Sequence, residues 1–370
     1  MDADVVLIAL ADISRDARTL NLARALAKAR MSTVVVGSTS ASLAHESFRF
    51  LEWKDPGGSA FARWRSLHHF CRHIDVRSRV VAAMDLFALR GATLIKAPGT
   101  RHPALIFDAR EFYFSLGPLQ GRGWKQRVIS AYERWMMRKV DRVMVSGELD
   151  ADIIQQRFRL KERPHVLLNT PPYRDPVVST VLREHFSIPT THIVVIYQGV
   201  VHHGRGIAPF LKAMTLMDDV HLCIVGEGPA VAELQRTAEA NGVQDRLHWY
   251  GAVPYDALHE ITCSADIGLC LIEPVSMSYE YALPNKLFEY MTARIPTVVT
   301  DLPALREQVK QTPVGMMVPR SLEPLRIKDA VDQLRIDATY QAMKHACGAI
   351  RSLSYESQVN RAIDLFRELP

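Results

Sequence analysis

A chain of 370 residues is longer than one ordinary hydrophobic core needs and comfortable for two domains. Its apolar share of 48% and charged share of 23% are those of a globular protein, which excludes disorder as the default, and no apolar run approaches the roughly 20 residues that span a bilayer. Its 45 Lys and Arg against 40 Asp and Glu leave a net charge of +5, which admits anionic partners; because the basic residues are interleaved with acids, no nucleic-acid partner is expected.

The chain starts "MDADVVLIALADISRDAR", with no basic stretch ahead of the apolar run and with Asp4 and Asp12 around it, so a secretory signal is not expected there. The run "VVLIAL" (5–10) reads as a buried parallel strand, "ARTLNLARALAKA" (17–29) as an amphipathic helix, and "STVVVG" (32–37) as the next strand. Further short apolar strands follow at "RVVAAM", "ALIFDA" and "RVMVSG", separated by helical stretches. This rhythm predicts an open, doubly wound parallel sheet. Asp12, Arg15 and Asp16 lie where the first strand meets its helix, so they are candidates for touching an acceptor, with helix capping as the competing role for Ser14 and Asp16. Asp108 and Glu111 follow a strand and are candidates for the same acceptor side, read either as an acid/base pair or as structural charges after a strand. The stretch "GRGWKQRVISAYERWMMRKVDR" (121–142) combines Arg122, Lys125, Arg127, Arg134, Arg138 and Lys139 with Trp124, Trp135, Met136 and Met137. It reads either as a core-packed helix with a solvated basic face or as an interfacial helix docking on an anionic membrane.

A proline-rich linker, "NTPPYRDP" (169–176), then interrupts the pattern, and the strand–helix rhythm restarts. "HIVVIYQG" (192–199), "HLCIVGEG" (221–228), "RLHWYG" (246–251), "ADIGLCL" (265–271) and "IPTVVTD" (295–301) read as its strands, and "SYESQVNRAIDLFREL" (354–369) as a closing amphipathic helix. The expected organisation is α/β: two Rossmann-like domains at 1–175 and 190–350 facing a cleft, with 351–370 as a C-terminal helix. Cys71, Cys223, Cys263, Cys270 and Cys347 are odd in number and form no C-x-x-C pair, so reduced thiols in a cytoplasmic protein are expected, with neither a disulfide framework nor a metal site.

Ligands of open parallel sheets sit beyond the carboxyl ends of the strands, and four strand ends of the second half carry suggestive loops. "YQGVVHHGRG" places Gly199, Gly204 and Gly206 where backbone can approach a ligand, with Arg205 as a cation whose planar fork suits phosphate. "VGEGP" supplies Gly228, and "WYGAVP" exposes backbone around Tyr250 and Val253 that could read a nucleobase. In "YALPNKLFEYM" (281–291), Pro284 suits the first turn of a helix whose free amides meet Lys286, an anion site, while Glu289 stands one turn further and could accept from sugar hydroxyls. His202 and His203 have no Cys or carboxylate at ligand spacing, so they are read as loop histidines near a phosphate. Glu280 is read as a loop acid. Neither GxGxxG nor GxxxxGK[ST] occurs, which removes support from the dinucleotide and P-loop readings.

These residues carry a resemblance. "IYQG…RGI", "CIVGEGPAVAELQ", "DRLHWYGAVPYDALHEITCSADIGLCL" and "PNKLFEYMTARIPTVVTDLP" resemble, in order, the donor-binding half of GT-B glycosyltransferases of the large retaining family 4, in its PNK-type branch. The first half resembles the family more loosely, through "FDAREF", "VDRVMVSGELDADII" and "VLLNTP". The resemblance implies a UDP- or GDP-sugar donor, a saccharide or lipid-linked acceptor, retention at the anomeric carbon and no bound metal or cofactor. It also implies a closing helix that returns to the N-terminal domain. It assigns Arg205 and Lys286 to the departing diphosphate, the backbone of Asn285 to Leu287 to the phosphates or sugar, Glu289 to the ribose, and the segment from Tyr281 through Leu283 and Pro284 to the donor sugar. Three positions depart from the pattern: Tyr281 stands where a glutamate is common, Val200 follows Gly199 where a cation is common, and Arg110 replaces a histidine that faces the reacting sugar, which makes Arg110 a candidate catalytic residue. An epimerase of the same architecture, a non-catalytic sugar-nucleotide-binding partner and a membrane-surface module remain as alternatives.

Overall fold

The computed structural model describes residues 1–99, 102–116, 119 and 121–369. It divides into two compact units, one of Met1–Asn169 with Tyr355–Pro370 and one of Thr170–Ser354.

The first unit is a seven-stranded sheet. Its strands are β1 (Asp2–Asp12), β2 (Thr33–Ser38), β3 (Arg49–Glu52), β4 (Arg77–Ala83), β5 (Ala104–Ala109), β6 (Arg142–Val145) and β7 (His165–Val166). Their order is β3-β2-β1-β4-β5-β6-β7 and every pairing is parallel. Helices must cover both faces of such a sheet, so its central strands read as unbroken apolar runs. Leu7 lies beside Val35 on one side and Ala82 on the other, all fully buried. The edge strands β3 and β7 are short and partly exposed, which is why no apolar run announces them.

The Tyr355–Glu368 helix belongs to this unit. Its Ile363, Leu365 and Phe366 join the cluster of Leu20, Leu22 and Leu26 from the Ala17–Lys28 helix. Polar contacts fix its register: Leu168 N–H donates to Gln358 Oε1 (2.8 Å), His165 Nε2 lies 3.0 Å from Arg361 O, and Arg79 donates to the Phe366 carbonyl (3.0 Å).

The second unit is a six-stranded parallel sheet of order β10-β9-β8-β11-β12-β13. Its strands are β8 (Ile193–Gln198), β9 (Val220–Val225), β10 (Leu247–Trp249), β11 (Ile267–Cys270), β12 (Thr297–Thr300) and β13 (Gly315–Val318). Every residue of β9, β11 and β12 is buried. β13 carries little apolar signal in the sequence, because it opens on Gly315 and its middle is partly exposed. Strand order reverses between β8 and β11, and at such a switch point the two flanking loops part to leave a crevice outside the carboxyl ends.

Candidate functional site

The crevice at the β8–β11 switch point is built within the second unit. β8 ends on Gln198, a buried amide at the end of an otherwise apolar strand. Gly199 follows, and its N–H returns to Val225 O (3.0 Å). The loop continues through Gly204 and enters the Ile207–Met214 helix at Gly206. Gly206 has φ +68, and a Cβ there would lie 2.2 Å from Leu271 Cβ, so no side chain fits where this loop crosses the end of β11. The loop after β9 locks onto the first one: Val201 N–H donates to Glu227 O (2.9 Å), and a Cβ on Gly228 would meet Val201 O at 2.2 Å.

Over these loops lies the Asn285–Thr292 helix, with Leu287, Phe288, Tyr290 and Met291 fully buried. The Tyr290 hydroxyl donates to Ile196 O (3.0 Å), which ties the helix to β8. Pro284 is not in the first turn, as its residue type had suggested. It is the cap residue, with an extended ψ of 147, and no side chain caps the amides that follow it.

Two cations meet here. The Arg205 guanidinium lies 4.5 Å from the centre of the Tyr279 ring, and Lys286 Nζ lies 3.4 Å from that of Tyr197. Burial is the largest influence on Lys286; together with the positive charge of Arg205 it outweighs Cys270 and Glu289 and brings the ammonium down to about 7. Two neighbouring cations that rest on aromatic faces, with the ammonium of Lys286 held down by burial and by Arg205, form a site that an anion would relieve. His202 is also held below its usual value by burial, then by Arg205 and His203, while His203 Nδ1 lies 3.7 Å from Glu233.

Glu289 accepts from Gln198 Nε2, and Thr262 Oγ1 in turn lies 2.8 Å from Gln198 Oε1. Burial raises the Glu289 carboxyl against the opposing pull of Gln198 and Lys286. Glu289 also lines a small pocket with Tyr255, Leu258, His259 and Thr262. Residue-type reasoning did not find Gln198, Thr262, Tyr197 or Tyr279. The one available signal was a polar residue closing the apolar run "IVVIYQ".

The other candidates are arranged as follows. Tyr281 ends the short Met277–Glu280 helix, and Leu283 and Asn285 are half-buried beside it. Glu280 is paired with Arg320 (2.9 Å). Tyr250 packs on His185 (5.0 Å) and its N–H is taken by Ile224 O, which leaves Gly251 to Val253 as the turn's partly exposed segment. Among the described residues, no group of three or more His, Cys, Asp or Glu has the geometry to hold a metal ion.

In the first unit, Asp108 is fully buried and accepts from Arg18 Nε (2.7 Å) and Nη2 (2.6 Å) and from Arg110 Nε (3.0 Å). Arg110 continues to Asp16 Oδ2 (2.7 Å) and Thr19 Oγ1 (2.7 Å). Asp16 also caps the Ala17–Lys28 helix through Thr19 N–H. Burial would raise Asp16, but Arg110 and Thr19 hold it below its usual value. Asp12 accepts from Ser14, Arg15 is mostly exposed, and Glu111 is exposed. The structure therefore joins Asp16, Asp108 and Arg110 in one network and leaves Arg15 and Glu111 at the surface.

Two family models match the chain: "Glycosyl transferases group 1" over residues 178–348 and "Glycosyl transferase 4-like domain" over residues 16–170. A 2-deoxystreptamine N-acetyl-D-glucosaminyltransferase of Streptomyces fradiae is 24% identical over 207 residues, 53% of this chain and 48% of that protein. The chain spans about half the length of the curated relatives it matches. Among solved structures, it is similar to sucrose-phosphate synthase from Thermosynechococcus elongatus (15% identity, TM-score 0.77, 99% of both chains). It is also similar to Anabaena HepE in complex with UDP and glucose (13% identity, TM-score 0.76, 99% of this chain and 100% of that one). At these identities the solved structures speak for the fold.

Proposed function

The chain belongs to the GT-B glycosyltransferases, and we propose that it moves a sugar from a nucleotide-diphosphate sugar to an acceptor held by its first unit. The observation that carries the reading is the pair Arg205 and Lys286, each placed on an aromatic face beyond the carboxyl ends of β8 and β11. As the glycosidic bond breaks, negative charge gathers on the departing diphosphate. Cations already in place stabilise that state more than the ground state, which is how fixed charge lowers a barrier. The uncapped amides at Asn285 and Lys286 add the positive end of a helix to the same anion. Glu289, set by Gln198 and Thr262, receives the ribose hydroxyls, and the turn from Tyr250 to Val253 faces the base. Gly199, Gly204 and Gly228 let backbone approach the phosphates, and Tyr281, Leu283 and Pro284 line the sugar. We assign Arg110 to holding Asp16 and Asp108 on the acceptor side, because its donors are engaged there.

We further read the transfer as retaining and metal-independent, in a cytoplasmic protein that meets anionic membrane through 121–142, with a saccharide or lipid-linked saccharide as acceptor. HepE is similar in fold and holds UDP, which supports UDP ahead of GDP as the first donor nucleotide to try. Thermal shift against a panel of UDP- and GDP-sugars tests the donor site, with stabilisation by one family of nucleotides expected. Lys286→Ala and Arg205→Ala should each lower turnover by about 10²–10³-fold, the scale of losing one preorganised charge-stabilising group. A chain whose melting no nucleotide shifts, or a pair of variants with full turnover, refutes the reading. The anomeric configuration of the product by NMR decides retention.

A further inference from the structure

A pocket in the first unit opens between the ends of the Gly123–Met137 and Glu148–Phe158 helices. Arg134, Arg138, Arg157 and Arg159 line it together with Phe158, and among the described residues no acidic one does. Arg157 is aimed by the Phe114 ring, 3.8 Å from its guanidinium carbon, and by a hydrogen bond to Ser130 Oγ (3.0 Å). Arg159 sits in the left-handed region (φ 52) that ends its helix. The nearby Glu133 is buried, and burial pushes its carboxyl up to about 8 against the opposing pull of Arg157, which favours its protonated form at pH 7 and weakens its claim on this charge.

The same Gly123–Met137 helix turns apolar bulk outward. Trp124, Val128 and Trp135 are 68%, 60% and 42% exposed, and their spacing of four and seven residues puts them on one stripe. Arg127, Arg134 and Arg138 border that stripe on the pocket side, by the 100° step of the helix. Exposed tryptophans rimmed by arginines have the composition of a helix lying in a bilayer interface.

We propose that the four-arginine pocket seats the phosphate headgroup of an anionic phospholipid, with the Trp124–Val128–Trp135 stripe entering the same bilayer face beside it. The proposal rests on the reading that 121–142 meets membrane, and adds Arg157 and Arg159 from a second helix. Guanidinium forks bind phosphate oxygens in pairs, so the pocket supplies a seat of fixed geometry that a diffuse basic face lacks.

Co-sedimentation of the full chain with vesicles of phosphatidylglycerol and phosphatidylcholine, against phosphatidylcholine alone, tests it. The protein should bind the anionic vesicles, and Arg138→Gln/Arg159→Gln should weaken that binding about twenty-five-fold, at roughly fivefold per basic residue removed from an anionic surface. Melting with nucleotide sugar should not change. If this variant does not fold, Arg134→Gln/Arg138→Gln on the exposed rim makes the same comparison. Anionic-vesicle binding that survives the arginine changes but is lost in Trp124→Ala/Trp135→Ala overturns the pocket and leaves the helix reading intact. A wild-type chain that ignores anionic vesicles overturns both. Stabilisation of the wild type, but not of the arginine variant, by inorganic phosphate in the absence of any vesicle binding would give the pocket to a soluble phosphate and overturn the lipid occupant.

Discussion

Lys286 concentrates the physics of the candidate site in one side chain. Burial and the neighbouring Arg205 hold its ammonium down to about 7, far below the lysine value of 10.5. A bound diphosphate would favour the charged form and raise that value, so donor binding near neutrality takes up a proton. The sign follows. Below pH 7 Lys286 is charged with or without donor and affinity is level; above pH 7 the free protein must first be protonated. Donor affinity should therefore fall as pH rises from 7 to 9, by up to about tenfold per unit. Titration calorimetry in two buffers of different ionisation enthalpy would show the proton uptake. Lys286→Arg, charged throughout, should flatten the profile; a wild-type profile level to pH 9 would sink the account. The cation itself is legible in "PNKLFEY", because a lysine at the mouth of a helix has few other uses. Its lowered pKa is not legible, since that depends on burial in the folded unit and on Arg205, which arrives from a loop far away in sequence. Gln198 is hidden for the same reason: a glutamine at a strand end gains its role only when the Asn285–Thr292 helix brings Glu289 over it.

At the scale of elements, legibility follows burial. The central parallel strands are covered on both faces and so appear as apolar runs, whereas β3 and β7 lie at edges and carry no such run. The closing helix shows its amphipathic face in "SYESQVNRAIDLFREL", but periodicity says only that one face is covered, not by what. The structure gives that cover as the core of the first unit, with Phe366 fully buried among Leu20, Leu22 and Leu26. Phe366→Ala should then cost about 3–5 kcal/mol through the cavity it leaves. Urea unfolding followed by circular dichroism measures this, and nucleotide binding in the second unit serves as the control. A loss below about 1 kcal/mol would mean that the helix is a loose appendage and not part of that core.

For the molecule as a whole, the doubled strand–helix rhythm in the sequence corresponds to two parallel sheets, and all the groups proposed for the donor lie in one of them, within Thr170–Ser354. The buried chain Arg18–Asp108–Arg110–Asp16 lies wholly in the other. This division makes the site's location testable without knowing the acceptor. A ligand that binds only the folded second unit stabilises it by RT ln(1 + [L]/Kd), about 2.7 kcal/mol at a hundredfold excess over Kd. Amide hydrogen exchange reads such stabilisation locally. With saturating nucleotide sugar, protection should rise first at the loop from Gly199 to Gly206, at the turn around Gly228 and along Asn285–Thr292. β8 and β11 should follow, because the Tyr290 hydroxyl ties that helix to their carbonyls. The Arg18–Asp108 network should exchange at its unliganded rate. Protection that instead appeared around Arg110 and Asp16, and left the 285–292 helix unchanged, would move the donor to the other unit and overturn the assignment of Arg205 and Lys286 together.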